Sequence, residues 1–261
     1  MAFILQYLPN LLLVFCRITS FFIVAPVFSA RNVPNHFKVG FSFLITLVAF
    51  STIDQNAMTI DGTYLITVMK EIVIGLLLGF VAYLFFTVVQ ISGSFIDMQM
   101  GFSMANIIDP MTGTQSPILG NLKFMLAVLL FLTFNGHHYF IHAIIDSYKW
   151  VPLSNQVFAH IYNGQVSDFL LKSFASVFKL AFQMAAPMIA ALFLIDVGLG
   201  ILAKTAPQFN IFVIGMPLKI LVGFILLTLL FPGFLALFSE LFSTMFGAMQ
   251  KLLDILASPS A

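Results

Sequence analysis

The sequence predicts an all-α, integral membrane-type protein built of helical hairpins with long tilted or broken helices, and three observations predict it. Hydrophobic residues make up 61% of the 261 residues and charged residues only 8%, against about 25% charged in a soluble domain. Mean hydropathy is +1.06. Several apolar runs are also longer than a bilayer crossing needs. So much apolar surface cannot be hidden in one soluble core of this length, so lipid or partner subunits must cover the rest. The net charge of +1 gives no bulk attraction to nucleic acid.

The first helix is expected over about 3–28. Residues 1–16 hold no Lys or Arg, so the positive region of a signal peptide is missing and the helix reads as retained. Ser29-Ala-Arg-Asn-Val-Pro-Asn-His36 breaks it with turn and cap residues. A second helix follows over about 37–50, then a polar loop from Ser51 to Gly62. The third run, about 64–95, would reach roughly 48 Å as one straight helix at about 1.5 Å per residue, against a hydrocarbon core of about 30 Å. It is therefore expected to be steeply tilted, broken near Gly75 or Gly79, or partly outside the bilayer. The stretch 101–120, GFSMANIIDPMTGTQSPILG, mixes flexible residues with bulky apolar ones. A fourth helix is expected over about 122–148, then a more polar connection over 149–167. Two long apolar arms, about 168–203 and 211–248, form a hairpin around the tight turn 204–210. The parts divide into an N-terminal region, 1–165, and the C-terminal hairpin, 166–261, acting as one structural unit.

Arg31 and Lys38 make the first connection positive; Asp54 and Asp61 make the second negative. By the positive-inside rule the first faces the cytoplasm and the N-terminus faces out. The regions 26–45 and 205–225 each place a Pro and then a Lys at the start of a returning arm, a hint of two related hairpins.

Arg17 lies midway along the first helix. A charge at that depth costs about 2.5–3.5 kcal/mol on insertion scales and needs a partner or a wet surface. It fits an ion path, or more simply an ion pair with Asp196 or Glu71. Asp196 is the deepest acid; Glu71 and Asp97 sit on other segments, whereas a proton relay usually lines several acids or histidines along one route, so proton coupling within the chain is the less favoured reading. His138, His142 and Asp146 fall at i, i+4 and i+8 on one helix face. Three metal ligands are conceivable there, though capping or packing near a helix end is the commoner use. Cys16, the one cysteine, reads as a small core residue. No nucleophile–base set, zinc-protease motif or phosphate-binding loop occurs, and no cofactor is expected. Gly75-Leu-Leu-Leu-Gly79 is a G-x-x-x-G that permits close helix approach. The 101–117 loop, with Phe102, Met104, Ile107, Ile108 and Met111 around Asp109-Pro110, is either an apolar constriction that closes a pore by dewetting or a structured loop at a subunit interface.

Several blocks, in order, resemble the FliR family of flagellar type III export-gate proteins and its virulence-secretion homologues. They are Arg17 with Ala25-Pro26-Val-Phe-Ser29; Val33-Pro34-Asn-His-Phe-Lys38; Gly101-Phe-Ser with Asp109-Pro110; and Phe131-Leu-Thr-Phe-Asn-Gly-His137. The most specific is Asp196-Val-Gly-Leu-Gly200, followed by Ala206-Pro207-Gln208, Asn210 and Ile211-Phe-Val-Ile-Gly215-Met-Pro217, with Lys219 just beyond. The resemblance covers nearly the whole chain. It implies a non-enzymatic subunit that assembles with FliP-like and FliQ-like chains, beside FlhB-like and FlhA-like neighbours. Together they form the gate through which unfolded flagellar proteins leave the cytoplasm, in the inner membrane at the flagellar basal body. It further implies a FliP-like N-terminal part, a FliQ-like C-terminal hairpin, and a plug over about 101–117 with gasket positions at Met104 and Ile107. Some relatives carry Phe at both, which implies a less rigid seal here. Arg17, Pro26, Pro34, Lys38, Gly75, Gly79, Asp196, Pro207, Gln208, Asn210, Gly215, Pro217 and Lys219 are the expected structural and assembly positions.

Two rival readings remain on the residues alone. A secondary transporter for a small solute would use broken helices with Arg17 and Asp196 near the midplane. An intramembrane metal enzyme would use His138 and His142.

Overall fold

The computed structural model describes residues 2–30, 32–51, 53, 61–102, 117–153, 163–208 and 210–257. Among the described residues every regular element is helical: α1 Ala2–Val24, α2 Asn35–Phe50, α3 Tyr64–Met100, α4 Ile118–Thr133, α5 Gly136–Trp150, α6 Gln165–Thr205 and α7 Ile211–Ala257. Among the described residues four helices are long and apolar enough to cross a membrane, and the bent pair α4–α5 makes a fifth if counted as one span.

Local chemistry sets the boundaries. Pro34 is extended at φ −61°, ψ 143° just before α2: its ring fixes φ, and the residue at a helix N-cap takes the β region. Gly164, at φ +75°, leads into α6, whose first turn carries Asp168 and last turn Lys204; both charges suit the helix dipole. Pro187 lies inside α6, and Pro217 and Pro232 lie inside α7.

The third and fourth runs refine the sequence expectation. Of the alternatives for the third run, the break near Gly75 or Gly79 does not occur: it is one unbroken helix of 37 residues, and the two glycines serve the close helix packing that their spacing permits. The fourth is not continuous. Asn135 adopts the left-handed conformation at φ 57°, ψ 28°, and α4 and α5 diverge there by 71°.

The chain forms two compact units. The first comprises Met1–Phe85, Phe131–Phe174 and Ser243–Ala261; the second comprises Phe86–Leu130 and Ala175–Phe242. In the first, Leu13, Ile18 and Phe21 of α1, Ile74 and Leu78 of α3, Phe140 and Ile144 of α5, and Met245, Met249 and Leu252 of α7 are buried. Phe140 meets Phe21 edge-on at 5.6 Å and Phe246 at 5.6 Å. A Cβ at Gly75 would collide with the Arg17 carbonyl and the Ser20 hydroxyl, and one at Gly79 would stand 2.9 Å from the Phe21 carbonyl. The two glycines therefore bring α3 against the backbone of α1, the close approach that small residues permit. The turn after α1 places Val27 at φ +73°, a costly conformation for a β-branched residue.

In the second unit Phe86, Val89, Ile96 and Met100 of α3, Leu119 and Ala127 of α4, Met184, Met188 and Leu192 of α6, and Phe234 and Phe238 of α7 are buried. Gly223 of α7 receives the Met100 side chain so closely that a Cβ there would overlap its sulfur.

Candidate functional site

In the first unit the polar centre is Arg17, fully buried together with Glu71. α1 is apolar on the turns around Arg17, so the guanidinium must find every partner inside the protein. Its planar fork reaches three elements at once. Nε donates to Glu71 Oε2 at 2.6 Å, Nη1 to the Ser147 hydroxyl at 3.0 Å, and Nη2 to the Val151 carbonyl at 2.9 Å. The face of the guanidinium lies 4.0 Å from the centre of the Tyr148 ring, and the Tyr148 hydroxyl donates to the Val14 carbonyl at 3.1 Å. Lys70 stands 3.3 Å from the other Glu71 oxygen and donates to the Leu153 carbonyl. One arginine thus joins α1, α3, α5 and the segment leaving α5, a geometry that lysine cannot reproduce. Of the two acids considered from the sequence, Glu71 is the partner.

Asp196 belongs to a different cluster, in the second unit. Lys219 of α7 is 2.8 Å from Oδ1, and Gln99 of α3 donates to Oδ2 at 2.9 Å. This ion pair ties the two arms of the C-terminal hairpin and is part-exposed. Gly215, four residues before Lys219, sits close to the Leu199 side chain. Pro207, Gln208 and Asn210 lie exposed in the connection between α6 and α7. Asn210 accepts the Val213 amide at 3.0 Å, opening α7. The third deep acid, Asp97, accepts the backbone amides of Leu119 and Gly120; its role was not legible in the sequence.

The remaining expected positions fall as follows. Pro26 lies in the turn after α1, and the Lys38 carbonyl accepts the Ser42 hydroxyl at 2.7 Å. Phe102 packs edge-on against Phe224 at 6.3 Å. Met104, Ile107, Ile108, Asp109, Pro110 and Met111 lie outside the described residues. His138, His142 and Asp146 do not come together as a ligand set. Asp146 pairs with Lys149 at 2.7 Å on an exposed surface, and among the described residues no three His, Cys, Asp or Glu side chains are placed to hold a metal.

Long apolar helices whose deep charges are paired internally define a multi-pass helical membrane protein. The profile of the family described as bacterial export proteins, family 1, matches residues 8–245. Over 253 residues the chain is 43% identical to the flagellar biosynthetic protein FliR of Bacillus subtilis strain 168, covering 97% of each. It is 32% identical over 239 residues to the protein of the same name from Escherichia coli K12, covering 91% of this chain and 90% of that one. Yop proteins translocation protein T of Yersinia pestis is 28% identical over 216 residues, 82% of each. The chain belongs to the bacterial export proteins, family 1, the FliR family. These relatives are named for biosynthesis and translocation rather than for a reaction.

Proposed function

We propose that this chain is a non-enzymatic subunit of the flagellar type III protein export gate. On this reading it assembles with FliP-like and FliQ-like chains, beside FlhB-like and FlhA-like proteins, into the channel by which unfolded flagellar proteins leave the cytoplasm. The gate sits in the inner membrane at the flagellar basal body, with the N-terminus on the periplasmic side. Residues 1–165 play the FliP-like part and 166–261 the FliQ-like hairpin. The apolar residues of the 101–117 loop close the pore to water and ions, and an arriving chain displaces them. Partner proteins supply the energy.

The observation that carries the reading is the 43% identity to a flagellar FliR over 97% of both chains. The long C-terminal hairpin supports it. In the most apolar windows of α6 and α7 only 22% and 11% of residues are buried within the chain. Apolar faces left this open are what neighbouring subunits cover.

The test is to express the chain with FliP-like and FliQ-like partners and delete residues 104–111. Assembly is expected to survive, with ions now leaking across a reconstituted bilayer. Unchanged conductance after the deletion sinks the pore-closing role. A chain that is stable and transports a small solute without any partner sinks the subunit role.

A further inference from the structure

We infer that one face of α6 seats a helix of a neighbouring subunit, and that this helix brings a carboxylate to Lys179 and, one turn on, a hydrogen-bond donor to Gln183. The inference rests on the export-gate reading above, which supplies the neighbours, and its observations lie entirely in described residues of the second unit.

α6 is long and apolar enough to cross a membrane, yet it turns polar groups outward. Lys179, Gln183 and Pro187 stand at i, i+4 and i+8 and are exposed, so they share one helix face. Lys172, earlier on the helix, finds Asp168 at 2.6 Å. Among the described residues no carboxylate pairs with Lys179, and no group bonds to the Gln183 carboxamide. Pro187 adds a third unmet group. It lies inside α6 and has no amide hydrogen, so the Gln183 carbonyl, four residues back, loses its helical donor. Within a membrane such a freed carbonyl is met by a neighbouring helix or a polar side chain.

The same face continues as an apolar strip. Leu194, Val197 and Ile201, at i+7, i+10 and i+14 from Pro187, are 70%, 45% and 61% exposed. With Ala190 between Pro187 and Leu194, exposed positions recur every three or four residues from Lys179 to Ile201. That is the spacing along which two helices pack side by side at a small crossing angle. The small alanine lets a partner backbone come close beside the proline.

The chemistry of the face selects a helix over a lipid. A lipid phosphate accepts from Lys179 but donates nothing to the Gln183 carbonyl, about 6 Å further along α6, and an acyl chain satisfies neither. A helix with Asp or Glu opposite Lys179, a hydroxyl or amide side chain one turn along, and apolar residues beyond satisfies every group on the face. Gln and hydroxyl side chains bond across helices in this way.

The test uses the complex of this chain with FliP-like and FliQ-like partners. In detergent it is treated with a carbodiimide, which joins a lysine amine to a carboxylate in direct contact, and the linked peptides are read by mass spectrometry. Lys179 is expected to link to an acid in an apolar helix of a partner, while Lys172 links to Asp168. Lys179→Glu is expected to keep wild-type helix content and to lower the co-purified partner about tenfold or more, as breaking a buried charge pair does. Reversing the linked partner acid to lysine restores the yield. Gln183→Leu is expected to lower it about threefold, the effect of one hydrogen bond between membrane helices. If the complex forms while Lys179 links to nothing or only within its own chain, the docking face is refuted and the gate reading stands. The same follows if Lys179→Glu assembles at wild-type yield, or loses only affinity for vesicles containing phosphatidylglycerol, which assigns the lysine to a lipid phosphate. Should Lys179→Glu lose helix content, Lys179→Gln decides: a wild-type yield refutes the inference and a tenfold lower yield upholds it. If the wild-type chain does not co-purify with these partners, the gate reading fails and the docking face falls with it.

Discussion

Arg17 shows what a single buried charge costs and contributes. Its guanidinium is satisfied in the plane by three acceptors and on its face by Tyr148. Arg17→Ala leaves Glu71 buried beside Lys70 without its 2.6 Å partner, and breaking a buried pair in this way costs about 3–5 kcal/mol. A sharply lowered melting temperature of the detergent-solubilised assembly is expected. Arg17→Lys should recover only part of the loss, because the fork to Ser147 and Val151 goes with the guanidinium. Replacing Arg17 and Glu71 together with apolar residues of similar volume should recover more than Arg17→Lys does. That Arg17 needed a partner was legible in the sequence from its depth alone. Which acid it uses was not, since hydropathy reports depth and not which helix faces which across 54 residues. Asp97 was legible as a deep acid for the same reason, but its partners, the Leu119 and Gly120 amides, were not. Val27 was hidden too, because the apolar run continues to Phe28, whereas α1 ends at Val24 and the unusual φ falls on the valine.

The helices themselves were legible in order and approximate extent, because long apolar runs between polar punctuation leave few alternatives. Gly75 and Gly79 offer either a break in α3 or a close approach to another helix, and they serve the approach, lying on α1. Asn135-Gly136, a turn dipeptide inside an apolar run, is where α4 does end. A matched pair of substitutions measures the difference. A Cβ at Gly75 meets backbone of α1, whereas one at Gly40 in α2 meets nothing within 4 Å. Gly75→Ala should destabilise by about 1–3 kcal/mol, the usual cost of overpacking. Gly40→Ala should stabilise by about 0.5–1 kcal/mol, since it only stiffens the unfolded chain. Thermal unfolding of the two variants under identical conditions checks both signs.

At the scale of the whole molecule, the C-terminal hairpin carries apolar surface that the chain does not cover. Leu229 is 72% exposed, and introducing a charge there touches nothing in the chain's own packing. Leu229→Lys is expected to keep wild-type helix content by circular dichroism. Placed against lipid or an apolar partner, the same lysine costs about 2.5–3.5 kcal/mol, enough to strip the chain from the complex in a co-purification experiment. Surplus apolar length was visible in the sequence from arithmetic on the two arms. The division into units was not, since its boundaries fall inside the helices α3, α4, α6 and α7 rather than in connections between them. The final helix has a further consequence. Met245, Met249 and Leu252 complete a core begun by Leu13 and Ile18, and the second unit, Phe86–Leu130 with Ala175–Phe242, is threaded entirely between those two contributions. At a synthesis rate of about 5–20 residues per second, the ribosome takes roughly 8–32 s to travel from the end of the first segment to the first of these residues. The first unit is thus begun first and finished last, and a nascent chain stalled anywhere before α7 lacks the Met245, Met249 and Leu252 side chains of that core.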